Sequence, residues 1–316
     1  MIEPPESPAH NPMLPAFLIP MERRWLTLSP VIRGALWMLF GGLLFSIMGV
    51  LVKFLGQRLD SFQIAFFRAG FGFACILPFA LAAGTRNLRT RRLPAHLLRG
   101  MLGMIAMFGG FYSVVYLPLA DATALSFTRP LFVVVLAVII LREKVRIRRW
   151  SATVAGFIGV LIMLRPGAGT VEPAALVGIG AAFAVAGVVI MVKDLTRTEQ
   201  PIAILFYFGL VSTVIALLPA IWFWQQPTWW EFGLLIAIGA LGAAGQGATV
   251  RSYLCGEATL VAPFDYIRLI YSGVLGWLFF AELPDGWTWI GAAIIVASTL
   301  YIAYREAELS RQKRGG

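Results

Sequence analysis

Charge is what this sequence lacks most. Only 13% of its 316 residues are Asp, Glu, Lys or Arg, against roughly 25% in an ordinary soluble domain. Apolar residues reach 59%. That leaves too little polar surface for a dissolved monomer, which excludes a soluble enzyme. It is also far too apolar for a disordered protein. Cysteine is scarce: Cys75 and Cys255 are the only two, both in or beside apolar runs. A disulfide-stapled secreted domain is therefore excluded, and both thiols read as small packing residues. Histidine is as rare, with His10 in an N-terminal tail and His96 in an expected loop. No histidine–carboxylate cluster suggests a bound metal. HExxH, phosphate-loop and G-x-S-x-G signatures are missing as well. The sequence thus gives little support to a membrane-embedded enzyme, and no cofactor is expected.

What is present is apolar length. A helix crossing about 30 Å of hydrocarbon needs about 20 residues. Ten runs approach this, near 32–54, 61–83, 97–117, 122–141, 150–165, 172–193, 202–224, 231–254, 258–281 and 287–304. The expected fold is an all-α polytopic membrane protein with ten transmembrane helices. Residues 1–30 are rich in proline, carry Glu3 and Glu6, and contain no apolar core of a signal peptide. They read as a mobile tail, with residues 306–316 as a second, C-terminal tail. Met21, followed by Glu22, Arg23 and Arg24, is an alternative translation start to Met1.

The net charge of +10 would suggest nucleic acid in a soluble protein. Here the basic residues are scattered over short loops and form no domain-sized patch, so no nucleic-acid partner is expected. With the N-terminus cytoplasmic, twenty of the 26 Lys and Arg fall on the inner side. Lys53, Arg58 and Arg165 fall outside. The positive-inside rule then places both termini in the cytoplasm, and the lipid bilayer, as a bacterial inner membrane, is the expected surroundings. The tryptophans Trp222, Trp224, Trp229 and Trp230 read as an interfacial belt.

The chain repeats itself. Tyr116–Glu143 and Tyr253–Glu282 both open on Tyr-Leu and an acidic-Ala-Thr triplet, Asp121-Ala122-Thr123 and Glu257-Ala258-Thr259. Each has a proline soon after and ends on a carboxylate before a tryptophan. The period covers five spans, so the second copy is inverted. Two inverted five-helix repeats, 31–167 and 168–305, are expected, an arrangement typical of secondary transporters.

The residues themselves are similar to one family. The block Asp121-Ala-Thr-Ala-Leu-Ser-Phe-Thr-Arg-Pro, then Leu141-Arg-Glu-Lys, Trp150, Gly156-Phe-Ile-Gly and Arg165-Pro-Gly, resembles drug/metabolite transporters of the EamA type. The resemblance covers about residues 30–305. It implies ten helices, two five-helix repeats and a central cavity lined by both halves. It also implies a small-molecule substrate from a range spanning amino acids, nucleotide-like metabolites, vitamins and metallophores. One departure is visible: Asp265 and Arg268 stand where the first repeat has Arg129, which makes the cavity asymmetric.

Buried charge marks the candidate site. An ionisable side chain at the bilayer centre costs about 2.5–3.5 kcal/mol on insertion scales. Arg129 follows Asp121 by eight residues, and Asp265 follows Glu257 by eight. At about 1.5 Å per residue both lie roughly 12 Å deep. Arg268 shares a helix face with Asp265. These three form either a substrate site or an ion pair joining the halves. Pro130 and Pro263 stand beside them and should break their helices. Gln246 in span eight needs a partner in hydrocarbon. Tyr112, Tyr116 and Tyr266, with Tyr271, are candidates to line a ligand site or, for Tyr112 and Tyr116, an interface belt. Arg68 is a substrate contact, a gate or a lipid contact, and Lys53 is expected to snorkel to the interface.

Three arginines against one aspartate make the expected site positive. Guanidinium groups bind carboxylates and phosphates bidentately. The expected substrate is a small carboxylate-bearing metabolite, such as an amino acid, an amino-acid derivative or an opine-type metallophore. S-adenosylmethionine and riboflavin are alternatives from the resemblance, which also favours efflux. Without an ATP-binding loop, transport would be driven by an ion gradient or by exchange, with Asp265 as the proton carrier.

Overall fold

A computed structural model describes residues 28–82, 84, 88–141, 147–164, 172–195, 198–255 and 262–314. The tail residues 1–27, Met21 among them, lie outside the described residues. So do Glu143, Lys144, Arg165 and the Glu257-Ala258-Thr259 triplet.

All elements among the described residues are helical. They are α1 (Pro30–Leu55), α2 (Ser61–Ala82), α3 (Leu93–Tyr116), α4 (Leu119–Ser126), α5 (Arg129–Leu141) and α6 (Ile147–Leu164). Then come α7 (Pro173–Leu195), α8 (Pro201–Trp222), α9 (Trp229–Cys255), a 3-10 turn (Ala262–Tyr266), α10 (Ile267–Phe280) and α11 (Gly286–Arg314). Among the described residues, seven helical segments are long and apolar enough to cross a membrane, and two shorter apolar helices, Trp150–Leu164 and Gly286–Tyr301, accompany them. Their outer faces agree with that reading. Phe79, Leu218, Trp222 and Trp229 are 72–92% exposed, which suits lipid and not water.

Local chemistry sets the ends. Ser29 caps α1 by accepting the Ile32 N–H, and Pro30 occupies the first turn, where its missing N–H does no harm. Pro118 holds Leu117 extended and ends α3.

Both proline-flanked spans are broken near the expected positions, and other expectations are corrected. The fourth span is not continuous: α4 stops at Ser126 and α5 restarts at Arg129. Across the gap Phe127 and Thr128 donate to Ala124 and Leu125 in tight i→i+3 bonds. Pro130 sits at the second position of α5, where it opens a helix and does not kink one. The ninth span is also interrupted, because Ala262–Tyr266, with Pro263, is a 3-10 turn before the 14-residue α10. Residues 306–314 continue the helix, since α11 runs unbroken to Arg314. His96 is not in a loop. It lies in the first turn of α3 and is buried, as is Arg99 one turn on.

The most extensive packing joins α1 to α9, α3 to α7, α6 to α11 and α2 to α8. Each pair takes one helix from before residue 165 and one from after it. Next come α3 against α8 and α9 against α2, followed by α10 against α1 and α4, and α4 with α5 against α7. The interrupted elements therefore meet α1 and α7 at the centre of the bundle. Glycine permits a close backbone crossing: a Cβ on Gly291 of α11 would come 2.6 Å from the Gly159 carbonyl oxygen of α6.

Candidate functional site

Where the interrupted helices meet α1, α3 and α7 lies a cavity of about 220 Å³. Small residues on α7, Gly178, Ala181 and Ala182, leave the space open. Phe45 and Gly49 of α1 and Gly110 and Phe111 of α3 form its apolar walls.

The polar groups come from the breaks. Arg129 opens α5 and lines the cavity. Arg268, second residue of α10, lines it from the other half. Its guanidinium carbon is 5.1 Å from the centre of the Phe45 ring, a cation–π contact. Its stem lies against Gly42, where a Cβ would approach Arg268 Cγ to 2.9 Å. Arg268 Nη1 is 3.9 Å from Asp265 Oδ1, a long ion pair within one turn, and Arg268 Nε has no hydrogen-bond partner. The pair is loose enough for an incoming carboxylate to compete for the guanidinium.

Facing the arginines is a line of hydroxyls. Thr123 Oγ1 is 2.8 Å from both the Leu119 carbonyl and Ser272 Oγ. Ser272 Oγ is 3.5 Å from Ser46 Oγ on α1. These three buried hydroxyls tie α4, α10 and α1 together and present both donors and acceptors.

The other candidates are dispersed. Asp265 stands behind Arg268 and is not among the cavity-lining residues. Tyr112 and Tyr116 pack against each other in a tilted arrangement, 4.4 Å between ring centres, on the exposed side of α3. Tyr266 packs edge-on against Phe127 at 4.8 Å and hydrogen-bonds Thr299, within the apolar core. Gln246 lies on the exposed face of α9, and Tyr271 is half-buried on α10. Arg68 does not snorkel. It turns inward, and its Nη1 donates to Met107 Sδ at 3.2 Å.

Two polar clusters were not anticipated. Lys53 was expected to snorkel but is buried. It pairs with Glu282 and donates to the Leu117 carbonyl at 2.5 Å, with the Phe280 ring 5.4 Å away. Glu282 also accepts the Leu119 N–H at 3.0 Å. One ion pair thus joins the end of α1, the α3–α4 joint and the end of α10, beside the cavity residues Val52 and Leu119. At the same end Arg58 pairs with Glu231, and that hydrogen bond raises the Arg58 guanidinium above its ordinary value. Gln63 also bonds the Gln225 backbone there in both directions. The second cluster lies at the start of α3. The buried His96 has Nε2 3.7 Å from Glu199 Oε2 and its ring 4.7 Å from that of Tyr207. Arg99 lies over the Phe208 ring at 4.3 Å, and Arg92 pairs with Asp194. Glu282 carried one sequence signal, as the carboxylate closing the second repeat.

Known proteins resemble this chain along nearly all of it. A model of the EamA-like transporter family matches twice, over residues 32–165 and 172–304. A protein of Rickettsia prowazekii named S-adenosylmethionine uptake transporter is 36% identical over 286 residues, 90% of this chain and 97% of that one. A Vibrio cholerae riboflavin transporter is 37% identical over 90% of this chain and 97% of its own length. The pseudopaline exporter CntI of Pseudomonas aeruginosa is 32% identical, covering 89% and 97%. A crystal structure with 20% identity superposes at a TM-score of 0.59, over 87% of this chain and 98% of the other, and so shares the fold.

Proposed function

Because the chain belongs to the EamA-like transporter family, and is thus a multi-pass membrane transporter and not an enzyme, we propose that it carries a small carboxylate-bearing metabolite by secondary-active alternating access. The observation that carries this reading is the pair Arg129 and Arg268, one guanidinium from each half, in a single cavity at the helix breaks. Bidentate donors of fixed geometry suit a carboxylate, and the Thr123–Ser272–Ser46 hydroxyls suit the amino or hydroxyl group beside it.

Alternating access needs two halves that exchange roles. The double match of the family model supports inverted five-helix repeats, 31–167 and 168–305. So does the packing: replacing α1 by α7, α2 by α8 and α3 by α9 turns the α1–α9 contact into α7–α3 and returns α2–α8 to itself. The basic-residue bias supports both termini in the cytoplasm and residence in a bacterial inner membrane. Asp265 is the proposed proton carrier. Substrate that draws Arg268 away would leave its carboxylate free to take up a proton.

We favour efflux. Uptake of S-adenosylmethionine, which also bears a carboxylate, is the second reading, favoured by the names of relatives 35–36% identical. The test is a transport screen of carboxylate-bearing metabolites in cells lacking the protein, or carrying wild type or Arg129→Ala. The proposal expects one such compound to move with wild type only. Equal transport of every such compound by wild type and variant would remove it.

A further inference from the structure

Arg68 is a half-buried cation near the cavity that the central site leaves unused. From α2 it points between α1, α3 and α9. Its Nε is enclosed without a hydrogen-bond partner, and its Nη1 contact is the sulphur of Met107 at 3.2 Å. Thioether sulphur is a weak acceptor. Among the described residues no carboxylate lies within ion-pair distance of it, although Lys53, Arg58, Arg92 and Arg268 each have one.

What separates Arg68 from the cavity is movable. Met48 lines the cavity. Gly242 of α9 leaves the room, since a Cβ there would come 3.3 Å from Arg68 Nε and 3.4 Å from Met48 Sδ. Arg68 Nε and Met48 Sδ therefore border the same space beside Gly242. On the other side, Met107 is one helical turn before Phe111, which also lines the cavity. Unbranched thioethers re-pack readily. A carboxylate passing between them would give Arg68 a charge-assisted partner in place of a poor one.

Helix α1 supplies the spacing. Arg268 lies against Gly42 and over Phe45, and Arg68 lies at the level of Met48. Three to six residues of helix separate these levels, about 4.5–9 Å.

We propose that Arg68 is a second anion subsite, reached past Met48 and Met107, and that the transported metabolite carries two acidic groups roughly 5–9 Å apart along the α1 axis. One group binds Arg129 and Arg268, the other Arg68. The proposal rests on the carboxylate reading of the central cavity and narrows its substrate class to dianions.

The test uses purified full-length protein in detergent. Thermal stabilisation is titrated with glutarate, adipate and pimelate, and with monocarboxylates of the same chain lengths. The best-fitting dicarboxylate should bind at least tenfold more tightly than its monocarboxylate. Arg68→Gln should bring that ratio to within twofold, and Arg68→Lys should restore part of it. Should these variants fail to fold, Met48→Phe, which blocks the passage by bulk, should also lower the ratio. Equal affinity for mono- and dicarboxylates in wild type, or an unchanged ratio in Arg68→Gln, would overturn the second subsite alone. Binding of no carboxylate at all would overturn the central-cavity reading with it.

Discussion

Replacing Lys53 by methionine should loosen the end of the bundle beside the cavity. Methionine keeps the apolar stem and removes the charge. The Lys53 side chain is 9% exposed and that of Glu282 is 23% exposed. Removing one partner of a well-buried ion pair costs about 3–5 kcal/mol, because the other charge stays buried and unpaired. Glu282 is partly exposed and keeps the Leu119 N–H as a donor, so the expected loss is lower, about 2–4 kcal/mol. The double variant Lys53→Met/Glu282→Leu buries no lone charge and should recover more than half of it. Unfolding in mixed detergent micelles, read as a double-mutant cycle, measures this coupling. A Lys53→Met protein within about 0.5 kcal/mol of wild type, or single effects that simply add, would refute the reasoning.

Three further outcomes follow from the geometry. Gly291→Ala puts a methyl 2.6 Å from the Gly159 backbone oxygen, and should destabilise by about 1–3 kcal/mol or more, whereas Gly286→Ala, with nothing within 4 Å, should leave thermal stability unchanged. Ser272→Ala removes the hydroxyl between Thr123 and Ser46. It should raise the KM for transport several-fold while costing about 1 kcal/mol of stability. Asp265→Asn should transport without dependence on an imposed pH gradient, and normal gradient-driven transport by this variant would end its role as proton carrier.

Membrane insertion made much of this fold readable. Long apolar runs have few alternatives in lipid, so α1, α2, α3, α7, α8 and α9 fell close to the expected spans. Rise per residue put Arg129 and Asp265 at one depth; Arg129 lines the cavity, whereas from the other half it is Arg268, one turn beyond Asp265, that does. Rotation about the helix axis was not readable. A span apolar on all sides has no polar stripe to set its facing, and so Tyr112, Tyr116 and Gln246 turned out to face outward. Arg68 carried the same ambiguity and resolved inward. Lys53 and Glu282 come from opposite halves, and nothing local announces their meeting. His96 looked like a loop residue because the apolar run begins after it. Its helix starts earlier, at Leu93-Pro94, where proline fits the first turn.

The central claim is gradient-driven carriage of a carboxylate-bearing metabolite through a site built on Arg129. The direct measurement is flux of such compounds into proteoliposomes of the purified protein under an imposed pH gradient, with protein-free liposomes and Arg129→Gln beside it. The account predicts flux of at least one carboxylate compound with wild type, reduced at least tenfold in Arg129→Gln. Flux confined to compounds without a carboxylate, or equal in wild type and Arg129→Gln, would contradict it.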